Sequence, residues 1–358
     1  MNFKETEIGY VPYLPDLSQP ADRRRFPFFA KDQNIAFEIA DQNKEYDVIL
    51  LTAFANLSQW LVYKKKNPNT KFIFEMVDSL IFSPNLFDTL FKGVGKYITG
   101  KESSLHWNYR TILIEWLKTA DLVICSSTGT KKVIDKWNKN VVASLDYMQN
   151  EVIKKKTDYA LNGKMKLVWE GQGVVCQQLL NYKELFKQVN SFCDLYIITD
   201  ETFPKYGGLI KKSISTILDQ LPITTFFHKW EIYKNFEMLI EYDCGVIPLD
   251  KNNKMALYKP ANKLISFSFA GLPTVVSDIP SYIEFMDCAG TELYCSNIDE
   301  WVARIKSIKN MTAEERQKIA VKNLNYVTKN YSNEALHQHW YGIFEKLGAQ
   351  INAPSVKS

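Results

Sequence analysis

The chain contains 358 residues, of which 46% are hydrophobic and 23% are charged. One ordinary core does not accommodate this length, which predicts two domains, and the composition excludes a disordered protein. The formal net charge of +4, from 44 basic against 40 acidic residues, is too mild to suggest a dedicated nucleic-acid-binding protein, whose basic residues concentrate on one face.

No targeting or membrane-spanning segment is recognisable. The segment 1–7 is charged and lacks the apolar run of a secretory signal. No apolar stretch reaches the roughly 18 to 20 residues that a spanning helix needs. The six cysteines are scattered and form no Cys-x-x-Cys pair. We therefore expect a cytoplasmic protein with reduced thiols, and contact with the inner face of the membrane through local basic patches stays open.

Short apolar runs alternate with longer helical patterns. In the first half they predict strands at 8–14, 48–51, 71–77, 122–125 and 141–143, and helices at 29–43, 57–66, 104–119 and 129–136. After a polar stretch at 146–164, they predict strands at 166–170, 195–199, 223–227, 244–248, 273–277 and 292–295, and helices at 178–190, 208–218, 232–241 and 262–270. This alternation indicates an α/β fold of two Rossmann-like, doubly wound parallel-sheet domains that face a cleft.

Ligands of such sheets bind beyond the carboxyl ends of the strands, so polar residues that follow strands are the candidates for chemistry. Asp78 follows the strand 71–77 and is a candidate base towards an acceptor hydroxyl, or else the cap of a short helix. Arg23 and Arg24 follow the loop after the first strand. They are candidates for bidentate contacts with a phosphate, or else solvated residues at a helix start capped by Asp22.

The most informative segment is 259–278. Asn262 is a good N-cap for the apolar helix that follows, and Gly271 ends that helix two residues before Pro273. Lys259 and Lys263 flank the helix start, where a lysine is electrostatically unfavourable unless an anion compensates it. The segment therefore predicts a diphosphate site, and the alternative is an ordinary cap with an exposed first-turn lysine.

Four segments resemble the GT-B glycosyltransferases of family 4 (group 1). These are Ala270-Gly-Leu-Pro-Thr-Val-Val-Ser-Asp278 with its preceding helix, Tyr242-Asp-Cys-Gly-Val-Ile-Pro-Leu249, Lys166-Leu-Val-Trp-Glu-Gly-Gln-Gly173, and Ala120-Asp-Leu-Val-Ile-Cys-Ser-Ser127. The resemblance covers most of the chain and is strong from about 226 to 284. It implies a donor site formed by Gly171, Gln172, His228, Trp230, Lys259, Asn262, Lys263 and Ser266.

The donor half departs from the family in two ways. Many members carry two glutamates eight residues apart around the donor-binding helix, and Tyr258 and Ser266 occupy those positions here. The Gly-Arg and Lys-Gly pair after the first strand of the second domain is also absent, which leaves Gln172 in that loop. For His228 and Trp230 the resemblance implies contact with the nucleotide base, and core packing of Trp230 is the alternative.

The resemblance also implies a domain plan. Residues 1–155 form the acceptor domain and 163–330 the nucleotide-sugar-binding domain. The amphipathic helix 333–348 crosses back onto the acceptor domain through Trp340, Ile343 and Phe344, and 349–358 is a flexible tail.

The implied function is transfer of a sugar, of the hexosyl type and with retention of configuration, from a nucleotide sugar to a hydroxyl acceptor in cell-surface glycan or polysaccharide synthesis. The expected partners are the donor, a glycan or lipid-linked acceptor and no nucleic acid. No Asp-x-Asp motif occurs, and His337 and His339 point apart on a helix, so we expect no metal and no cofactor besides the nucleotide sugar. A catalytically inactive module that partners an active transferase, a nucleotide-sugar epimerase and, more remotely, a periplasmic binding protein are the alternatives.

Overall fold

The computed structural model describes residues 6–77, 80–82, 108–152, 154–205, 210–231 and 234–351. The chain divides into two compact units. Unit 1 comprises Met1–Tyr147, Tyr258–Pro260 and Asn333–Ser358, and unit 2 comprises Met148–Leu257 and Ala261–Ser332. No helix in these described ranges is both long enough and apolar enough to cross a membrane.

Unit 1 contains a parallel sheet, which the described residues show as six strands in the order β2-β1-β3-β4-β5-β6. The strands are β1 (Ile8–Val11), β2 (Glu38–Ile39), β3 (Val48–Thr52), β4 (Lys71–Met76), β5 (Leu122–Cys125) and β6 (Val141–Ala143). Every residue of β3 is buried, as a strand with helices on both faces requires. The predicted α/β class is therefore confirmed for this half.

The helices of unit 1 complete its core. Those in the described part of the unit are Pro20–Arg23, Phe26–Asp32, Leu57–Lys66, Leu80–Phe82 (3-10), Tyr109–Thr119, Thr128–Ile134 and Asn333–Leu347. Trp116 lies against β4, where its ring contacts Phe72 and Phe74, and its Nε1 donates to the Leu57 carbonyl at 3.0 Å. On the last helix, the Trp340 ring stacks on Phe29 with centroids 5.8 Å apart.

Unit 2 contains a second parallel sheet, in the order β11-β8-β7-β12-β13-β14 over the described residues. An antiparallel hairpin, β9 with β10, stands outside this sheet. The strands are β7 (Met165–Glu170), β8 (Cys193–Thr199), β9 (Thr202–Lys205), β10 (Ile210–Ser213), β11 (Thr225–Lys229), β12 (Cys244–Ile247), β13 (Thr274–Ser277) and β14 (Tyr294–Cys295).

Twelve helical segments of unit 2 lie in the described ranges: Gln149–Glu151 (3-10), Gly173–Cys176, Gln177–Tyr182 (3-10), Lys183–Val189, Ser215–Leu218, Lys234–Met238, Leu239–Glu241 (3-10), Lys254–Leu257, Asn262–Phe269, Pro280–Ala289, Ile298–Asn310 and Ala313–Tyr331. The helix Asn262–Phe269 ends as predicted at Gly271, whose φ of +73° favours glycine. A Cβ there would lie 3.0 Å from the Tyr159 hydroxyl.

Three predicted elements were wrong. The helix expected at 29–43 ends at Asp32, and Glu38–Ile39 joins the sheet as β2. The helix expected at 208–218 gives way to β10, which pairs with β9 before the short helix Ser215–Leu218. The strand expected at 223–227 lies two residues later, because β8 pairs with Thr225–Lys229. In each case strand pairing overrides the local pattern: β2 pairs with β1 and Thr225–Lys229 with β8, both distant in sequence, whereas β10 pairs with its hairpin neighbour β9.

The strand order reverses once in each sheet. In unit 1 successive strands are added on one side of β1 and then, from β3 onwards, on the other. In unit 2 the same change of direction occurs between β7 and β12. Ligands of open α/β sheets bind in the crevice outside the carboxyl ends of the strands at such a point. In unit 2, a ligand is therefore expected beside the residues that follow β7 and β12.

Candidate functional site

Glu170 is the last residue of β7, at the reversal point of the second sheet, and its carboxylate is the centre of a polar network. Lys263 Nζ lies 3.7 Å from Glu170 Oε2 and also donates to the Glu170 carbonyl. Trp230 Nε1 donates to Glu170 Oε1 at 3.2 Å. The structure thus brings together two predicted donor-site residues, Trp230 and Lys263, around a carboxylate that sequence reasoning did not single out.

Gly171 follows Glu170 and is closely packed. A Cβ on Gly171 would lie 2.9 Å from Lys263 Nζ and 2.9 Å from the Trp169 ring, so only glycine leaves room for both side chains. The Lys263 ammonium also lies 5.1 Å from the Trp169 ring centroid, within cation–π range. Gln172 is exposed, and the Gly173 amide donates to Asp200 Oδ2 at 2.8 Å, which ties this loop to the one after β8.

The start of the helix Asn262–Phe269 differs from the prediction. Ala261 is the N-cap, with no side-chain cap bond, and Asn262 is the first helical residue, so the capping role of Asn262 was wrong. Ser266 is buried, and its hydroxyl donates to the Asn262 carbonyl at 3.0 Å. Lys263 is in the first turn as predicted, and Glu170 is the anion that compensates it within the protein.

A second network holds the loop after β12. The Leu249 amide donates to Ser277 Oγ at 2.7 Å, and Ser277 Oγ donates to the Leu249 carbonyl at 3.1 Å. Tyr182 Oη donates to the same carbonyl at 2.8 Å. These bonds hold the carboxyl ends of β12 and β13 together and make this side of the reversal point rigid.

His228 lies within β11 and not in a loop after it, which corrects the expected position. Its ring lies 6.0 Å from that of Tyr196 on β8 and 6.4 Å from that of Tyr242. Trp230 is the first residue after the strand, and its amide donates to the Thr199 carbonyl at 2.8 Å. Trp230 is only half-buried, so it is not a core residue beneath the loop.

Lys259 belongs to unit 1, together with Tyr258 and Pro260. The Tyr258 carbonyl accepts a bond from Ser127 Oγ at 3.1 Å, and the Tyr258 ring stacks on Phe82 with centroids 4.2 Å apart. This short segment is therefore held by the carboxyl end of β5 and by the helical turn Leu80–Phe82.

The arginines after β1 divide into two kinds. Arg23 and Arg24 are half-buried, each with further contacts. Arg25 is fully buried: its Nε donates to Glu75 Oε1 at 2.7 Å, and its Nη1 donates to Asp146 Oδ1 at 3.0 Å. Burial opposes the charge of Arg25, but the two carboxylates outweigh it and raise its pKa. The Arg25 guanidinium is therefore bound within the protein core and stabilises the fold of unit 1.

Asp22 is buried and does not cap the helix start, which corrects the sequence interpretation. Its carboxylate accepts bonds from the Tyr10 hydroxyl at 2.7 Å, the Tyr13 amide at 2.9 Å and the Leu14 amide at 3.1 Å. It therefore fixes the loop after β1. Burial raises the pKa of Asp22, although these hydrogen bonds oppose the shift.

The reversal point of the first sheet also presents aromatic side chains. Phe54, which follows β3, is 44% exposed, and its ring centroid lies 5.2 Å from that of Tyr13. Both residues follow strands of the first sheet, and this position after a strand is the signal that marks them in the sequence. Asp78, the predicted base, lies outside the described residues. Over the described ranges, no group of three or more His, Cys, Asp or Glu side chains could hold a metal ion.

No protein-family profile matches the chain, and no curated protein matches it in sequence. Solved structures do match. Sucrose-phosphate synthase from Thermosynechococcus elongatus is similar at a TM-score of 0.61 with 11% identity, over 85% of this chain and 74% of that one. A glycosyltransferase from Rickettsia africae ESF-5 is similar at 0.60 with 11% identity, over 98% of this chain and 100% of that one.

A third similar structure is a mutant of S. aureus TarM in complex with Fondaparinux, alpha-GlcNAc-glycerol and UDP. Its TM-score is 0.53 with 12% identity, over 83% of this chain and 55% of TarM, so the chain spans about half of that protein. At these identities the likeness concerns the fold. The chain has the GT-B fold of these glycosyltransferases, with one Rossmann-like parallel sheet in each of its two units.

Proposed function

We propose that the chain is a glycosyltransferase that moves a sugar from a nucleotide-sugar donor to a hydroxyl group of an acceptor. The observation that carries the proposal is the position of Lys263, in the first turn of the helix Asn262–Phe269 and beside the end of β7. The GT-B fold and the complex of TarM with UDP support it.

The chemistry follows from charge. When the bond between the sugar and the diphosphate breaks, negative charge develops on the leaving phosphate. A lysine ammonium and the amides of a helix start stabilise such charge, and preorganised electrostatic contacts of this kind are usually the largest single contribution to catalysis. In this proposal Lys263 and the first turn at Asn262 contact the diphosphate, the loop at Gly171 and Gln172 lies along it, and Trp230 contacts the base.

The finer assignments are proposals of the same kind. The transferred group is a hexosyl group with retained configuration, and the product belongs to cell-surface glycan or polysaccharide synthesis. Asp78 is the base towards the acceptor hydroxyl, and Arg23 and Arg24 contact a phosphate of the acceptor or donor. His228, Lys259 and Ser266 complete the donor site. The nucleotide sugar is the only cofactor-like molecule required.

The location of the protein is proposed as the cytoplasm, with contact to the inner face of the membrane where the acceptor is lipid-linked. The basic runs at 64–66 and 154–156 are the sequence features behind this contact, although Lys64 Nζ lies 2.8 Å from Asp121 Oδ2 and Lys154 Nζ lies 3.4 Å from Glu237 Oε2. Flotation with vesicles that contain anionic phosphatidylserine, compared with vesicles of neutral lipid alone, tests the contact. Loss of co-flotation on Lys65→Glu and Lys66→Glu supports it, and no co-flotation of the wild type contradicts it.

Calorimetric titration with UDP, GDP and dTDP tests the donor site. We expect one of the three to bind the wild type in the micromolar range and Lys263→Met to weaken it by about tenfold, the size of one lost charge-assisted contact. Lys164→Met is the matched control, because Lys164 pairs with Asp194 at the amino end of β8. Binding no tighter than millimolar for all three nucleotides would falsify the proposal.

A catalytically inactive module that partners an active transferase is the second candidate. Two observations favour it: Tyr258 and Ser266 stand where many family members carry glutamates, and the Ser266 hydroxyl is already bonded to the helix backbone. Hydrolysis of a nucleotide sugar by the purified chain distinguishes the two. A rate above that of buffer, lost in Lys263→Met, supports the enzyme, whereas nucleotide binding without any turnover supports the inactive module.

A further inference from the structure

The Glu170 carboxylate lies where an anion bound to Lys263 would lie. Its Oε2 is 3.7 Å from Lys263 Nζ, and its own main-chain carbonyl accepts a hydrogen bond from the same ammonium. A lysine in the first turn of a helix is unfavourable beside the positive end of the helix dipole unless an anion compensates it. In this protein Glu170 supplies that anion without any ligand.

The carboxylate is held in place from its other side. Trp230 Nε1 donates to Glu170 Oε1 at 3.2 Å, so the two oxygens have separate partners. The side chains of Glu170 and Lys263 are 13% and 25% exposed, which leaves the pair partly open to solvent and able to rearrange. Gly171 and the Trp169 ring also pack against Lys263, and these contacts keep its ammonium at the carboxyl end of β7.

We propose that Glu170 is an affinity-determining residue of the donor site, whose carboxylate competes with the donor's diphosphate for Lys263. This inference rests on the proposed function. A diphosphate that approaches the helix start meets Lys263 already paired with the Glu170 carboxylate. To bind, it must displace Glu170 and form its own ion pair with the Lys263 ammonium. The competition weakens the binding of the donor and, to the same extent, of the nucleoside diphosphate product, which promotes product release.

The competition makes a prediction that a purely structural ion pair does not. Glu170→Gln keeps the shape of the side chain and an oxygen that accepts from Trp230, but it removes the charge. The nucleoside diphosphate that binds the wild type should bind Glu170→Gln about tenfold more tightly, the equivalent of one charge-assisted contact. The corresponding nucleoside, which has no phosphate, should bind both proteins equally.

Two further variants make the test specific. In the Lys263→Met background, Glu170→Gln should not increase the affinity for the nucleotide, because the ammonium for which the carboxylate and the diphosphate compete is absent. Asp194→Asn is the control for loss of one carboxylate. Asp194 pairs with Lys164 at 3.2 Å at the amino end of β8, whereas Glu170 lies at the carboxyl end of β7. Asp194→Asn should leave the affinity for the nucleotide unchanged.

Calorimetric titration of these four variants and the wild type with UDP, GDP, dTDP and inorganic pyrophosphate, and with the nucleoside as the control without phosphate, tests the inference. Unchanged or weaker binding to Glu170→Gln, or a gain that persists in Lys263→Met, overturns the inference while the proposed function stands. Tighter pyrophosphate binding to Glu170→Gln without any nucleotide binding supports the competition and overturns the donor site. If none of the five proteins binds any of the four phosphate-containing probes, both proposals fail.

Discussion

Arg25 Nε lies 2.7 Å from Glu75 Oε1, and both side chains are wholly inaccessible to solvent. Burial raises the pKa of Glu75, and the charge and hydrogen bond of Arg25 act in the opposite direction. Arg25 Nη2 and Glu75 Oε2 find no hydrogen-bond partner within the described residues. A buried pair with unsatisfied atoms is sensitive to loss of either member, because the remaining charge then has no compensation.

Arg25→Met should therefore destabilise unit 1 by about 3 to 5 kcal/mol, the usual cost of leaving a buried charge unpaired. Urea denaturation followed by circular dichroism measures the change. Lys44→Met is the matched control, because Lys44 pairs with Glu38 at the surface, where solvent screens the ion pair and its loss should leave the midpoint nearly unchanged. Equal midpoints for the two variants would show that the buried pair contributes no more than the exposed one.

The last helix is anchored to unit 1 by Trp340. This side chain is fully buried, and its ring stacks on Phe29 at an interplanar angle of 16°. Trp340→Ala should destabilise the protein by about 3 to 5 kcal/mol, because it leaves a large cavity. Val321→Ala, at an exposed position of the helix Ala313–Tyr331, should stay within about 0.5 kcal/mol in the same denaturation experiment.

Gly171→Ala tests how closely the candidate donor site is packed. The added Cβ would lie 2.9 Å from the Trp169 ring, which is buried and has no room to move, so we expect a loss of about 1 to 3 kcal/mol in the free energy of unfolding. Lys263 should also be displaced, with weaker nucleotide binding in calorimetry. Gly342→Ala is the control: no atom lies within 4 Å of its new Cβ, and this helical position should gain about 0.4 to 1 kcal/mol.

The stability of unit 1 should fall as the solution becomes mildly acidic. Burial lowers the pKa of His337 and of His339 below the ordinary value. At pH values between the lowered pKa of the folded protein and the ordinary histidine pKa of about 6.5, the unfolded chain binds more protons than the folded one. The contribution of these histidines is thus fully present above about pH 6.5 and is lost as the pH falls through their folded pKa values.

Urea midpoints measured from about pH 7.5 down to about pH 5.5 test this dependence, since most carboxylates stay ionised in that range. The double variant His337→Asn, His339→Asn should have a flatter profile than the wild type. The surface variant Lys44→Met should keep the wild-type slope. A double variant that retains the full slope would assign the dependence to other groups.

Much of the architecture could be predicted from local sequence features. The alternation of apolar runs with helical patterns indicated two parallel sheets, and both are present. Gly271 and Pro273 marked the end of the helix Asn262–Phe269 correctly, because a left-handed glycine followed by proline stops a helix through its own backbone. Lys263 was also placed correctly in the first turn, although the N-cap is Ala261 and not Asn262.

Interactions between distant residues were decided by the tertiary structure alone. Glu170 and Lys263 are 93 positions apart, and no local pattern indicates that one compensates the other. Arg25 is buried beside Glu75 on β4 and Asp146 beyond the end of β6, whereas its neighbours Arg23 and Arg24 stay half-buried. Glycine-dependent helix ends and hydrophobic periodicity depend on neighbouring residues and are therefore legible in the sequence, but a charge pairs with whatever side chain the completed sheet places beside it.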